Sequence, residues 1–205
     1  MMYDARDTGL LLVDPYNDFL SEGGKLWPQV RAIVEQRQVV GNLRSIVRAA
    51  RSAGIRVFIV PHRRTMPGDY RHWKQRTPGQ AECADCRTFA RDGWGGQWHP
   101  DFMPGAYDIV VQEHWGASGF ANTDLDLRLK QDGLRRLILV GMMANTCIEA
   151  TGRHAADIGY DVTLVTDATA AVSEAAMVAA HDINGPTYAN AILTTAELLA
   201  ALAEY

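Results

Sequence analysis

One thiol sits where a chain of this kind exposes its chemistry. Residues 137–140 (Leu-Ile-Leu-Val) read as a buried strand, Gly141 opens a turn, and a helical pattern starts just before Cys147. That placement sets the sulfur at a helix N-terminus, where unpaired backbone N–H groups and the helix dipole favour the thiolate. The thiolate is the nucleophilic form, so the position points to covalent catalysis. The same residue would equally serve as a small buried apolar group. Two carboxylates occupy comparable positions: Asp14 follows the apolar run 9–13, and Glu113 follows the run 109–111. Taken singly, these are an ordinary turn residue and an ordinary solvated acid. Together, three reactive groups at strand ends converge only if their strands share one sheet and one direction.

The elements that must position them are legible as an alternation. Apolar runs at 9–13, 55–60, 109–111, 137–140, 162–165 and, more weakly, 191–193 lack polar alternation, as expected of parallel strands covered on both faces. Helical spacing between them predicts helices over 30–53, 123–133, 145–158, 173–181 and 195–203, with Gly54, Gly133 and Gly159 as stops. Thr123 and Asp126 have the spacing of an N-cap and its capping-box partner. This rhythm predicts an α/β fold: a doubly wound, Rossmann-like sheet of six parallel strands with helices on both faces. In such a sheet ligands bind beyond the carboxyl ends of the strands, where Asp14, Glu113 and Cys147 all fall. The expectation is a single domain over 1–205, interrupted by a loop-rich insertion at about 61–104 with one helical patch near 80–90.

Composition narrows the function classes. The chain of 205 residues is 47% hydrophobic, enough for a sizeable core. A formal net charge of -4 provides no basic field for nucleic acid, and the run of Arg56, Arg63, Arg64, Arg71 and Lys74 reads as a solvated loop. No apolar stretch approaches the ~20 residues that span a bilayer, so no membrane partner is expected. Three cysteines and no signal-like N-terminus fit a reducing cytoplasm. No metal site and no cofactor are expected: His62, Asp69 and His72 are scattered, and Cys83-x-x-Cys86 lacks a second ligand pair. Trp73, Trp94, Trp98 and Trp115, with Phe19, have the character of pocket walls, though indoles also serve as core residues.

Three segments resemble the isochorismatase-like cysteine hydrolase superfamily, which includes nicotinamidases, carbamoyl-amide hydrolases and isochorismatases. They are Leu11-Leu12-Val13-Asp14-Pro15-Tyr16-Asn17-Asp18-Phe19, Ser118-Gly119-Phe120-Ala121-Asn122-Thr123-Asp124-Leu125-Asp126, and residues 141–147 continued through 159–168. The resemblance implies a Cys–Asp–Lys arrangement with Cys147 as nucleophile and Asp14 as its base. It also implies an oxyanion hole from the backbone N–H groups of Met143 and Cys147, a cis bond between Met142 and Met143, and substrate contacts from Phe19 and Trp115. The lysine is missing. Counting forward from Asp108, its position falls on Glu113; counting back from Ser118-Gly119-Phe120, it falls on His114. Glu113 would share a proton with Asp14 or meet a cationic substrate, whereas His114, or an arginine of the insertion, would restore the positive charge.

These readings predict a cysteine-dependent hydrolase of a C–N bond in a small amide, lactam or carbamoyl compound, working through a thioester. The alternatives are acid–base hydrolysis of a vinyl ether, as in the isochorismatases, and a metabolite-binding protein without catalysis. A homo-oligomer, dimer or tetramer, is the expected assembly.

Overall fold

The computed structural model describes residues 3–203. Six strands form one all-parallel sheet: β1 (Thr8–Val13), β2 (Arg56–Val60), β3 (Ile109–Val110), β4 (Arg136–Met142), β5 (Asp161–Ala170) and β6 (Ala191–Leu193), in the order β3-β2-β1-β4-β5-β6. The chain winds outward from β1 to one edge, returns, and winds to the other. The switch between β1 and β4 is therefore where the loops diverge and leave a crevice.

Successive β1 side chains enter opposite layers, as the strand period of two requires. Leu10 and Leu12 join a core with Val30, Ile33, Leu43, Ile46, Met177 and Leu198, which belong to α2 (Trp27–Gln36), α3 (Val39–Ser52), α7 (Glu174–Val178) and α8 (Thr195–Ala203). Leu11 and Val13 join the other, with Leu125, Leu129 and Ala155 of α5 (Leu125–Gln131) and α6 (Glu149–Asp157). The remaining helices are short α1 (Asn17–Leu20) and α4 (Pro78–Cys86), the latter inside the insertion. Among the described residues no helix is long and apolar enough to cross a membrane.

Several boundaries differ from the sequence expectation. The helix expected over 30–53 is two, α2 and α3, broken at Gln38 with φ 53°. Val34 and Val39 are both buried but five residues apart, a spacing that would rotate the apolar stripe off the core in a continuous helix. Asp124, not Thr123, is the N-cap of α5; the Thr123 hydroxyl donates to Gly119 O at 2.6 Å and accepts from Leu125 N at 3.3 Å, while Asp126 is taken by Lys130 and Tyr160, so no capping box forms. The insertion helix spans Pro78–Cys86 rather than 80–90 and starts with a capping box between Thr77 and Gln80. Helix 145–158 begins as a π-turn, Ala144–Ile148, before α6.

Candidate active site

Asp14 leaves β1 in the left-handed region, φ 52°, its N–H bonded to Val60 O at 3.1 Å and its carbonyl to Tyr16 N at 2.7 Å. This tight turn aims the carboxylate across the strand ends instead of along β1. On the adjoining strand Gly141 has φ 115°, and a Cβ there would stand 2.1 Å from Val13 O. Only glycine allows β1 and β4 to run this close before both chains turn into the site. Past it the Met142–Met143 peptide bond is cis, and the π-turn carries Cys147 back over the strand ends.

The third group arrives from the sheet edge. After β3 the chain makes an isolated parallel bridge to the end of β2, between His62 and His114. Paired residues of neighbouring strands share a face, so the two imidazoles meet, ring centroids 5.1 Å apart, and that of His114 reaches Asp14. A carboxylate oxygen of Asp14, a ring nitrogen of His114 and Cys147 Sγ lie within 4.8 Å of one another, all buried. Asp14 Oδ1 accepts from the His62 backbone N–H at 2.5 Å and meets His114 Nε2 at 3.2 Å. Asp14 Oδ2 is buried with no hydrogen-bond partner.

His114 therefore occupies the position that counting left between two residues, and Glu113 does not. Strand alternation turns Glu113 the other way, where Arg63, Arg64 and Arg91 hold its carboxylate. Burial alone would raise its pKa, but Arg64 and Arg91 bring it below the ordinary value. The acid–base pair of Asp14 with Glu113 is thus corrected, and so is a cationic substrate at Glu113, which already has three guanidiniums. Those arginines answer Glu113 instead of Asp14, which leaves His114 as the group beside the Asp14 carboxylate.

Both nitrogens of His114 face acceptors: Nδ1 lies 2.6 Å from Gly116 O, and Nε2 faces Asp14. Burial works against charge on this ring, but the Asp14 carboxylate and these hydrogen bonds outweigh it and raise the pKa. The attraction between the two groups thus favours the charged form of the ring. Neighbouring His62 is driven the opposite way, to about 4, by burial and by His114 itself. Cys147 also differs from expectation. Its thiol is pushed well up, first by burial and then by the Asp14 carboxylate, so the lowered value expected of a helix N-terminus does not hold. The resting group is a thiol beside an acceptor, and it becomes a nucleophile only as its proton leaves.

Phe19 is 4% exposed and packs on Phe89, with ring centroids 5.1 Å apart, inside the core rather than on an open wall. Trp115 stacks on Trp73 and carries the Arg63 guanidinium 4.4 Å above its ring. It lines a cavity of about 390 Å³ with Arg64, Arg91, Trp98, Glu113 and Asn122, next to but not including the three converging groups. Three contributors escaped the sequence reading. The His62 backbone supports Asp14, and the Tyr16 hydroxyl fixes it by donating to His62 O at 2.8 Å. Buried Asp18 ties the insertion to β1's loop, accepting from Lys25 N at 2.9 Å and Phe89 N at 2.6 Å. Asp18 lay inside a quoted motif, but nothing in its spacing marks a buried acid.

Residues 8–197 match the isochorismatase domain model. A ureidoacrylate amidohydrolase from Klebsiella pneumoniae is 28% identical over 179 residues, covering 82% of this chain and 75% of that protein. A cysteine hydrolase from Pseudomonas syringae superposes with a TM-score of 0.81 at 25% identity, covering 100% of this chain and 96% of that one. An N-carbamoylsarcosine amidase from Thermoplasma acidophilum has the same fold, with a TM-score of 0.66 at 24% identity over 92% of this chain and 96% of that one.

Proposed function

The chain belongs to the isochorismatase family of hydrolases, and from that premise we propose that it hydrolyses a C–N bond in a small amide, lactam or carbamoyl compound through a thioester on Cys147. The observation that carries the reading is the buried convergence of a thiol, an orphaned carboxylate oxygen and an imidazole. The amidohydrolase relative supports the C–N bond as the one cleaved.

Each group has one task. Asp14 Oδ2, which lacks a partner, takes the thiol proton as Sγ attacks the carbonyl carbon. The C–S bond forms and the carbonyl pair moves onto oxygen, where the Met143 and Cys147 N–H groups receive it, a contribution of ~3 kcal/mol per donor in comparable sites. Asp14 then hands its proton to the leaving nitrogen as the C–N bond breaks. Water, deprotonated by Asp14, attacks the thioester; the thiolate leaves and regains the proton. His114, beside Asp14 at 3.2 Å, offsets the negative charge passing between sulfur and oxygen.

The test is a panel of amides, lactams and carbamoyl compounds, followed by intact mass for an acyl adduct. The adduct is expected on the native chain and absent from Cys147→Ala with an unchanged circular dichroism spectrum. Full turnover of an added vinyl-ether substrate by Cys147→Ala, with loss in Asp14→Asn, would instead assign acid–base hydrolysis of a vinyl ether.

A further inference from the structure

We propose that Asp14, His114 and Cys147 form a zinc-binding site, and that zinc occupying it switches the hydrolase off. The juxtaposition is one of donor type as well as distance. A carboxylate oxygen, an imidazole nitrogen and a thiol sulfur lie within 4.8 Å of one another, and this mixed set suits Zn²⁺ among the common divalent ions. In a tetrahedral zinc site with metal–ligand distances of 2.0–2.3 Å, neighbouring ligand atoms stand about 3.5 Å apart. The Asp14–His114 edge is already 3.2 Å, so only the sulfur has to close in, by about 1 Å.

Two further observations point the same way. Zinc-bound histidines usually donate their second ring N–H to a carbonyl or carboxylate, which fixes the ring and its tautomer. His114 Nδ1 is already so engaged, 2.6 Å from Gly116 O, and this leaves Nε2 aimed into the site. Asp14 Oδ2 is fully buried without a hydrogen-bond partner, so the carboxylate has an acceptor left over within the same buried group. Charge also balances. Zinc displaces the thiol proton and the proton held between His114 Nε2 and Asp14 Oδ1. Two positive charges leave as one divalent ion enters, so the buried site keeps its net charge and avoids the cost of an unpaired ion. A lysine at position 114 would present an ammonium group, which has no lone pair to offer a metal while charged.

Binding stands apart from the hydrolase reading, whereas inhibition rests on it, because zinc would occupy Sγ and Asp14, the attacking atom and its base. The experiment titrates the full chain with zinc against a chromophoric chelator, and separately with Co²⁺. One equivalent should bind, Co²⁺ should give a sulfur-to-metal charge-transfer band in the near ultraviolet, and Cys147→Ser and Asp14→Asn should each weaken binding about 100-fold or more. The double variant Cys83→Ser/Cys86→Ser should bind as the native chain does. Loss of binding in that double variant, persistence of it in both Cys147→Ser and Asp14→Asn, or absence of a charge-transfer band would overturn the site. Binding as described, with acyl-adduct formation undiminished at saturating zinc, would overturn the inhibition alone. Absence of any adduct, with zinc binding intact, would count against the hydrolase reading and leave the metal site standing.

Discussion

The charge on His114 is measurable through stability, without a substrate. In His114→Gln the ring is replaced by a group that donates a hydrogen bond but carries no charge. Asp14 then keeps one short contact, from the His62 N–H, and is otherwise a carboxylate in a fully buried site. Unit charges 3.2 Å apart attract by about 5 kcal/mol at an effective dielectric of about 20. Desolvation of the pair offsets part of this, and breaking one side of a buried pair typically costs ~3–5 kcal/mol. The expected loss is about 3 kcal/mol for His114→Gln and a similar amount for Asp14→Asn, which strands the imidazole.

The double variant removes both charges and should lose no more than either single change, a coupling of about 3 kcal/mol. Urea unfolding followed by circular dichroism reads this directly. With a slope of about 2 kcal/mol per molar, each single change moves the midpoint down by about 1.5 M. If the two losses add within about 0.5 kcal/mol, no ion pair exists at the site, and the role assigned to His114 falls with it.

Two further outcomes follow from neighbouring groups. Because the Asp14 carboxylate helps hold the Cys147 thiol up, Asp14→Asn should lower that pKa and speed alkylation by iodoacetamide at fixed pH; an unchanged rate would mean that Asp14 does not act on the thiol, and a slower one that its loss as proton acceptor outweighs the relief of its charge. The second concerns His62, held down at about 4 by burial and by His114, with Asp14 and Glu113 pulling weakly the other way. A free histidine titrates near 6.5, so between those values the unfolded chain binds a proton that the fold refuses. Stability present above about 6.5 is lost as the pH falls toward 4, by about 3 kcal/mol from this group. His114, raised instead, contributes stability at low pH that fades as the pH rises through its folded value. His62→Gln should therefore flatten the acid limb of a stability–pH curve, and an unaltered limb would assign the acid loss elsewhere.

Much of this site was legible because a parallel sheet makes strand ends predictable. The unbroken apolar runs before Asp14 and Cys147 placed both at carboxyl ends, and the alternation of elements implied that those ends share a rim. The order of the strands then makes β1 and β4 neighbours, so the two residues face each other across the switch point. Side-chain direction was less legible. β3 is two residues long and the chain beyond it is irregular, so counting from either side gives a different residue. The pairing of His62 with His114 decides between them, and a long-range bridge leaves no periodic trace in the sequence. The thiol's acidity was misjudged for a related reason. A helix N-terminus is a local feature visible in sequence, whereas burial and the Asp14 carboxylate come from distant segments, and here they outweigh it.

The replacement of a flexible cation by an imidazole changes how the site is controlled. A lysine side chain carries a charge on a mobile stem and finds its partner by rotation. His114 is a rigid ring anchored at Nδ1 by Gly116 O, so its direction is set before any ligand arrives. Such anchoring preserves the geometry beside Asp14, but an imidazole's charge is titratable where a lysine's is held over a far wider pH range. Activity that depends on the imidazolium should fall as the pH rises through the raised pKa of His114, a limb that His114→Lys would move to higher pH. If the native chain and His114→Lys share the same alkaline limb in single-turnover acylation, the group that titrates there is not His114, and the cation beside Asp14 has to be sought elsewhere.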